Sequence, residues 1–244
     1  MNPNTHNFPA MKSGCSLILF LWLVQASVAA SASGKPEVFS DPGSFLPPVS
    51  DWSGKSESLI ADDDDPWITP AERTGLTDTP SYDETIAWLG RLVETAPELK
   101  MISIGKSAQG RDFWMVVAST DRAFTPAAMR ETGKPLLLAH SGIHSGEIDG
   151  KDAGLMLLRD MTVADRRKEL LAGSSFLFIP ILNVDGHERK SAFNRINQRG
   201  PVEMGWRTNA RNQNLNRDFT KLDTEGVRAL IRVFRQWKPD LYLD

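Results

Sequence analysis

The stretch SSFLFIPILN, residues 174–183, is apolar at consecutive positions and shows no polar alternation. A strand with one wet face alternates, so this one is predicted to be buried on both faces, as inner strands of a parallel sheet are. Its surroundings extend the pattern. KPLLLAHS (134–141) is a second apolar run, and PDLYLD (239–244) is a third. KMISIG (100–105) and DFWMVVAS (112–119) read as strands joined by the turn KSAQGR. Helical spacing separates these runs: Tyr82, Ile86, Leu89 and Val93; then Leu155, Leu157, Leu158 and Met161; then Val227, Leu230, Ile231 and Phe234. Ser81 and Glu84 form a capping box at the first of these helices, and Pro97 stops it. Strands alternating with helices predict an α/β fold, a mixed, largely parallel sheet flanked by helices.

Composition narrows the partners. The 244 residues are 41% hydrophobic and carry a formal net charge of −3, so there is no basic field for nucleic acid. Lys12, the apolar run LILFLWLV (17–24) and the small residues QASVAASAS read as a secretory signal over residues 1–30, cleaved after Ala30 or Ala32. The run falls short of the ~20 residues a membrane span needs, so no stable membrane anchor is expected. Export to the periplasm or the extracellular space follows. Cys15, the one cysteine, precedes the apolar run and leaves with the signal, so a metal site in the mature chain must use His, Asp and Glu. Residues 31–75 are rich in Ser, Pro, Gly and Asp and read as a polar extension or linker, leaving 76–244 as the catalytic-type domain. Asp62 to Asp65 lack the alternating pattern of a calcium loop and read as a solvated acidic run.

In open α/β sheets ligands gather beyond the carboxyl ends of strands. LLLAH is followed there by SGIHSGEIDG, which presents His144 and Glu147 three residues apart. An imidazole nitrogen and a carboxylate are ordinary zinc ligands, at ~2.0–2.2 Å. Gly142 and Gly146 allow a tight turn between them. Taken alone, such a pair is more often two surface residues than a metal site. His140 reads as a strand-end histidine and His187 as part of a polar turn. Ser145 lacks the first glycine of a nucleophile elbow, and Lys100 stands where a phosphate loop needs its first glycine. GWRTNARNQNLNRDF (205–219) sets Arg207, Arg211 and Arg217 among four asparagines. It is either a solvated polar loop or an anion clamp, because guanidinium groups hold carboxylates through paired hydrogen bonds.

Together these stretches resemble the zinc carboxypeptidase family of the carboxypeptidase A and B type, from about Tyr82 to Asp244. GIHSGE is similar to the family's H-x-x-E, PILNVDGHE to its N-P-D-G strand end, NLNRDF to its Asn-Arg pair, and IGKSAQGRD to its strand-turn motif. The resemblance implies one zinc ion held by His144 and Glu147, and a substrate carboxylate bound by Asn216 and Arg217. It implies that Arg207 steadies the developing oxyanion, with Arg211 as the alternate. Asn214 stands where better-known members carry an aspartate bonded to the zinc histidine. The third zinc ligand and the general base fall beyond Asp244 in the family pattern. The implied activity is removal of C-terminal residues from peptides or proteins by metal-activated water. A zinc-dependent deacylase of N-acyl amino acids and a non-catalytic peptide-binding relative are the alternatives.

Overall fold

The structure, a computed structural model, describes residues 54–198 and 200–244. The signal expected over 1–30 and most of the extension before residue 54 lie outside the described residues. After a 3-10 turn at Lys55–Leu59 the order is α1 (Pro70–Arg73), α2 (Tyr82–Thr95), β1 (Leu99–Lys106), β2 (Asp112–Ala118), α3 (Pro126–Glu131) and β3 (Leu136–His140). Then follow α4 (Asp149–Met161), α5 (Lys168–Gly173), β4 (Ser175–Ile179), α6 (Val184–His187), a 3-10 turn at Leu215–Arg217, α7 (Glu225–Trp237) and β5 (Leu241–Leu243).

The five strands form one sheet in the order β1-β2-β4-β3-β5. It is mixed and flanked by helices, as the alternating signals predict. β3 pairs in parallel with β4 and β5, each connection carrying helices, whereas β1–β2 and β2–β4 are antiparallel. β4 is central and every residue of it is buried. Leu177 and Ile179 pack on one face with Met115, Val117, Leu138 and the α7 residues Val227, Leu230 and Val233. Phe176 and Phe178 point to the other face, where Trp88, Leu89 and Leu92 of α2 meet Leu155 and Leu158 of α4. The continuous apolar run is thus explained by two cores, one on each side of the same strand.

Local signals fix the ends. Ser81 accepts the Glu84 N–H at 3.2 Å and donates its own N–H to the Glu84 carboxylate at 2.8 Å, closing the predicted box. α2 ends at Thr95, with Ala96 as its cap before Pro97. From Leu59 onward the stretch read as an extension contributes buried groups: Ile68, Thr69, Ala71 and Glu72 are all buried, and Trp88 donates its indole N–H to the Ile68 carbonyl at 3.1 Å. Among the described residues no helix is long and apolar enough to cross a membrane.

Candidate metal centre

The chain leaves β3 through Gly142, whose φ of +64° is a left-handed conformation that glycine adopts without strain. That turn is stitched to the end of β4. Ser141 N–H donates to the Ile179 carbonyl at 3.0 Å, Leu182 N–H to the Ser141 carbonyl at 2.9 Å, and Asn183 N–H to the Gly142 carbonyl at 3.1 Å. Two loops at the carboxyl ends of adjacent parallel strands are thereby locked together, in the position where α/β sheets bind ligands. Ser145, fully buried, donates its hydroxyl to the Asn183 carbonyl at 2.9 Å. Asn183 in turn accepts the Gly186 N–H at 3.1 Å and donates its amide to the Arg207 carbonyl at 3.2 Å. A Cβ on Gly186 would lie 2.6 Å from both Ser145 Oγ and the Trp206 carbonyl oxygen, so the loops of Ser145, Asn183 and Arg207 meet there without room for a side chain.

On this base His144 and Glu147 converge. His144 Nδ1 is 3.1 Å from Glu147 Oε2. Two donors at ~2.1 Å from a tetrahedral zinc lie about 3.4 Å apart, so the pair fits as two ligands of one ion. His144 is buried, and its Nε2 has no hydrogen-bond partner among the described residues. Burial pushes the Glu147 carboxyl up, but hydrogen bonds from Arg195 and His144 outweigh it and hold the group below the usual range, which keeps it anionic. Among the described residues no group of three or more His, Cys, Asp or Glu side chains is placed to hold a metal. His144 and Glu147 supply two donors and no more.

The other predicted positions are placed as follows. Asn214 does not reach His144. Its carboxamide oxygen accepts the Asn216 N–H at 3.1 Å and caps the 3-10 turn Leu215–Arg217, because an asparagine two residues before an open backbone N–H closes locally. Arg217 is exposed and its guanidinium donates to the Asn216 carbonyl at 2.8 Å. Arg207 is half-buried, with its backbone tied to Asn183. Arg211 is paired with Glu225 at 3.0 Å, so it is already engaged. His140 is buried at the strand end against the Tyr242 hydroxyl and lies 3.5 Å from Asp244 Oδ1. His187 is in no open polar turn: it is buried in α6 and bonded to Glu188 at 2.7 Å.

Two contributors escape a reading of the sequence. Arg195 donates to Glu147 Oε1 at 2.6 Å, and nothing in the surrounding AFNRINQ marks it. Asp185, buried in NVDG, takes hydrogen bonds from Ser107 at 2.8 Å, Arg111 at 2.9 Å and the Gln109 N–H at 3.2 Å. The turn KSAQGR and the end of β4 are bound to one another through this carboxylate. The two motifs were visible separately, but not their contact.

Comparison with known proteins bears on the family and the fold. The sequence profile described as zinc carboxypeptidase matches residues 85–233, more than half of the chain. Carboxypeptidase D of Drosophila melanogaster is 30% identical over 138 residues, which are 54% of this chain and 9% of that protein. A zinc carboxypeptidase of Saccharothrix mutabilis subsp. capreolus is 29% identical over 120 residues, 47% of this chain and 26% of that one. The chain thus spans about a quarter or less of these relatives. The crystal structure of a metallo-carboxypeptidase from Burkholderia cenocepacia superposes with a TM-score of 0.51 at 20% identity, covering 67% of this chain and 40% of that one. That last likeness is one of fold.

Proposed function

Because the chain belongs to the zinc carboxypeptidase family, we propose that His144 and Glu147 are two ligands of a single zinc ion in an exported hydrolase that removes C-terminal residues from peptides. The observation that carries the reading is the 3.1 Å approach of His144 Nδ1 to Glu147 Oε2 at the carboxyl end of β3. Among the described residues no third His, Cys, Asp or Glu side chain joins them. When bound, zinc supplies the Lewis acidity that lowers the pKa of a water toward neutrality and polarises a carbonyl.

The remaining work falls to the chain's own groups. Arg217, exposed and among the described residues bonded only within its own turn, offers a guanidinium to the terminal carboxylate of a peptide, and Asn216 beside it offers an amide. Arg207 is the cation assigned to the negative charge that develops on the scissile carbonyl oxygen. Its loop is packed on Ser145 through Asn183, so cation and ligand pair share one rigid base.

The test uses the protein with zinc, the protein stripped by chelator, and His144→Ala. Expected are zinc-dependent release of a single amino acid from an N-blocked dipeptide and loss of both zinc binding and turnover in His144→Ala. Zinc uptake and hydrolysis that survive this substitution overturn the assignment.

A further inference from the structure

The two carboxylate oxygens of Glu147 have different partners. Oε2 faces His144 Nδ1 at 3.1 Å, and Oε1 accepts from Arg195 Nη2 at 2.6 Å. Glu147 itself is 43% exposed, whereas the Arg195 side chain is only 17% exposed. Arg195 comes from the loop closed by the Ser191–Met204 bridge, and the same loop is tied to the metal turn by Gln198, whose amide donates to the Gly146 carbonyl at 2.9 Å. Gly146 is what lets the arginine pass. A Cβ there would lie 2.7 Å from Arg195 Cγ and 3.0 Å from the Gly205 carbonyl oxygen. The glycine of HSGE therefore has a packing reason that its place in a turn did not disclose.

We propose that Arg195 is a positioning residue of the metal centre: by hydrogen bonding Oε1 of Glu147 it holds the carboxylate in the orientation that keeps Oε2 beside His144 Nδ1. This rests on the reading of His144 and Glu147 as zinc ligands. A glutamate side chain this open to solvent on a turn samples several rotamers unless a partner holds it. A guanidinium has fixed donor directions, and it meets Glu147 from the loop closed by the Ser191–Met204 bridge. Outer partners of this kind orient ligands, and their removal typically costs about 10- to 100-fold in metal affinity. Repulsion between the guanidinium and the bound cation acts the other way, over a longer distance and with the Glu147 charge between them.

The experiment measures zinc dissociation constants by chelator competition, and visible spectra of the cobalt(II) form, for the wild type, Arg195→Met, Arg195→Lys, Gly146→Ala, the double variant Gly146→Ala, Arg195→Met, and His144→Ala. Expected are a loss of about 10- to 100-fold in Arg195→Met with an altered cobalt spectrum, and partial recovery in Arg195→Lys. Gly146→Ala, which pushes the arginine aside, should give a similar loss in the wild type but little further loss in the Arg195→Met background. Zinc affinity in Arg195→Met equal to or tighter than wild type, or fully additive losses in the double variant, overturns the inference. If Arg195→Met does not fold, unchanged affinity and spectrum in Gly146→Ala overturn it instead. Undiminished zinc affinity in His144→Ala would take down the metal centre itself, a separate result.

Discussion

Arg159 binds both carboxylate oxygens of Glu72, at 2.9 and 2.7 Å from one guanidinium nitrogen, with neither side chain open to solvent. Its other nitrogens reach the Leu59 carbonyl at 3.0 Å and Asp160 at 2.9 Å. Glu72 also accepts the Ala61 and Thr69 N–H groups, at 2.9 and 2.7 Å. Burial pushes the Glu72 carboxyl up, but Arg159 and these backbone donors outweigh it and leave it below the usual range. Arg159→Met leaves a buried carboxylate unpaired and is expected to cost about 3–5 kcal/mol in urea unfolding at neutral pH. The double variant Glu72→Met, Arg159→Met should lose less than the single one, because no lone charge is left behind. Equal losses would mean that the packing of the arginine stem, not its charge, fastens the segment before α2.

Lys151 gives a different pH signature. It is fully buried, donates to the Pro80 carbonyl at 2.8 Å and lies 3.3 Å from Asp152. Burial lowers its pKa to about 8, with Asp152 partly offsetting the effect. The unfolded lysine, with a pKa near 10.5, holds its proton over a range in which the folded one has lost it. Stability should therefore be flat below about pH 8 and rise between about pH 8 and 10.5, by about 3 kcal/mol in all. In Lys151→Met that rise should vanish. A rise that persists would assign it to another group.

His187 and Glu188 set the acid limit. Burial lowers the His187 pKa to about 4, against the hydrogen bond to Glu188 that raises it. Burial raises the Glu188 carboxyl, but the bonds from His187 and from the Tyr82 N–H bring it down to about 2. Both folded values lie below the unfolded ones of 6.5 and 4.5. Stability from the histidine is whole above about pH 6.5 and is lost as pH falls toward 4; that from the glutamate is lost between about 4.5 and 2. Unfolding midpoints taken between pH 7 and 4 should fall in the wild type and fall less steeply in His187→Gln, where buried His140, its pKa also lowered by burial, still contributes. The same slope in both would exclude His187 as its source.

These groups mark how far the sequence could be read. The apolar run at 174–183 announced a strand buried on both faces, and its two cores bear that out residue by residue. Strand order was not legible, since nothing local states that β2 returns to lie beside β4. The approach of His144 to Glu147 was legible because both residues sit within one turn. Arg195 and Asp185 were not, because their partners are 48 and 74 to 78 residues away and a long-range ion pair has no period. The Glu72 contact did have a local signal. Thr69, Pro70 and Glu72 spell a capping box with proline at the first helical position, inside a stretch whose composition reads as linker.

Arg217 tests the anion clamp apart from the metal. Its guanidinium is exposed and, among the described residues, bonded only to the Asn216 carbonyl, so Arg217→Ala removes little from the fold. A hydrogen bond to a charged group contributes about 1.5–3 kcal/mol, which corresponds to about a 10- to 150-fold change in binding. On substrates with a free terminal carboxylate, KM should rise by about that factor while kcat changes little, because the contact is made in the ground state and the transition state alike. On the matching C-terminal amides, whatever slow turnover the protein has should be the same with and without Arg217. Zinc affinity should also be unchanged, which separates this result from damage to the metal centre. An equal loss on acids and amides would show that Arg217 supports the Leu215–Arg217 turn and that the carboxylate binds elsewhere, with Arg207 the next cation to substitute.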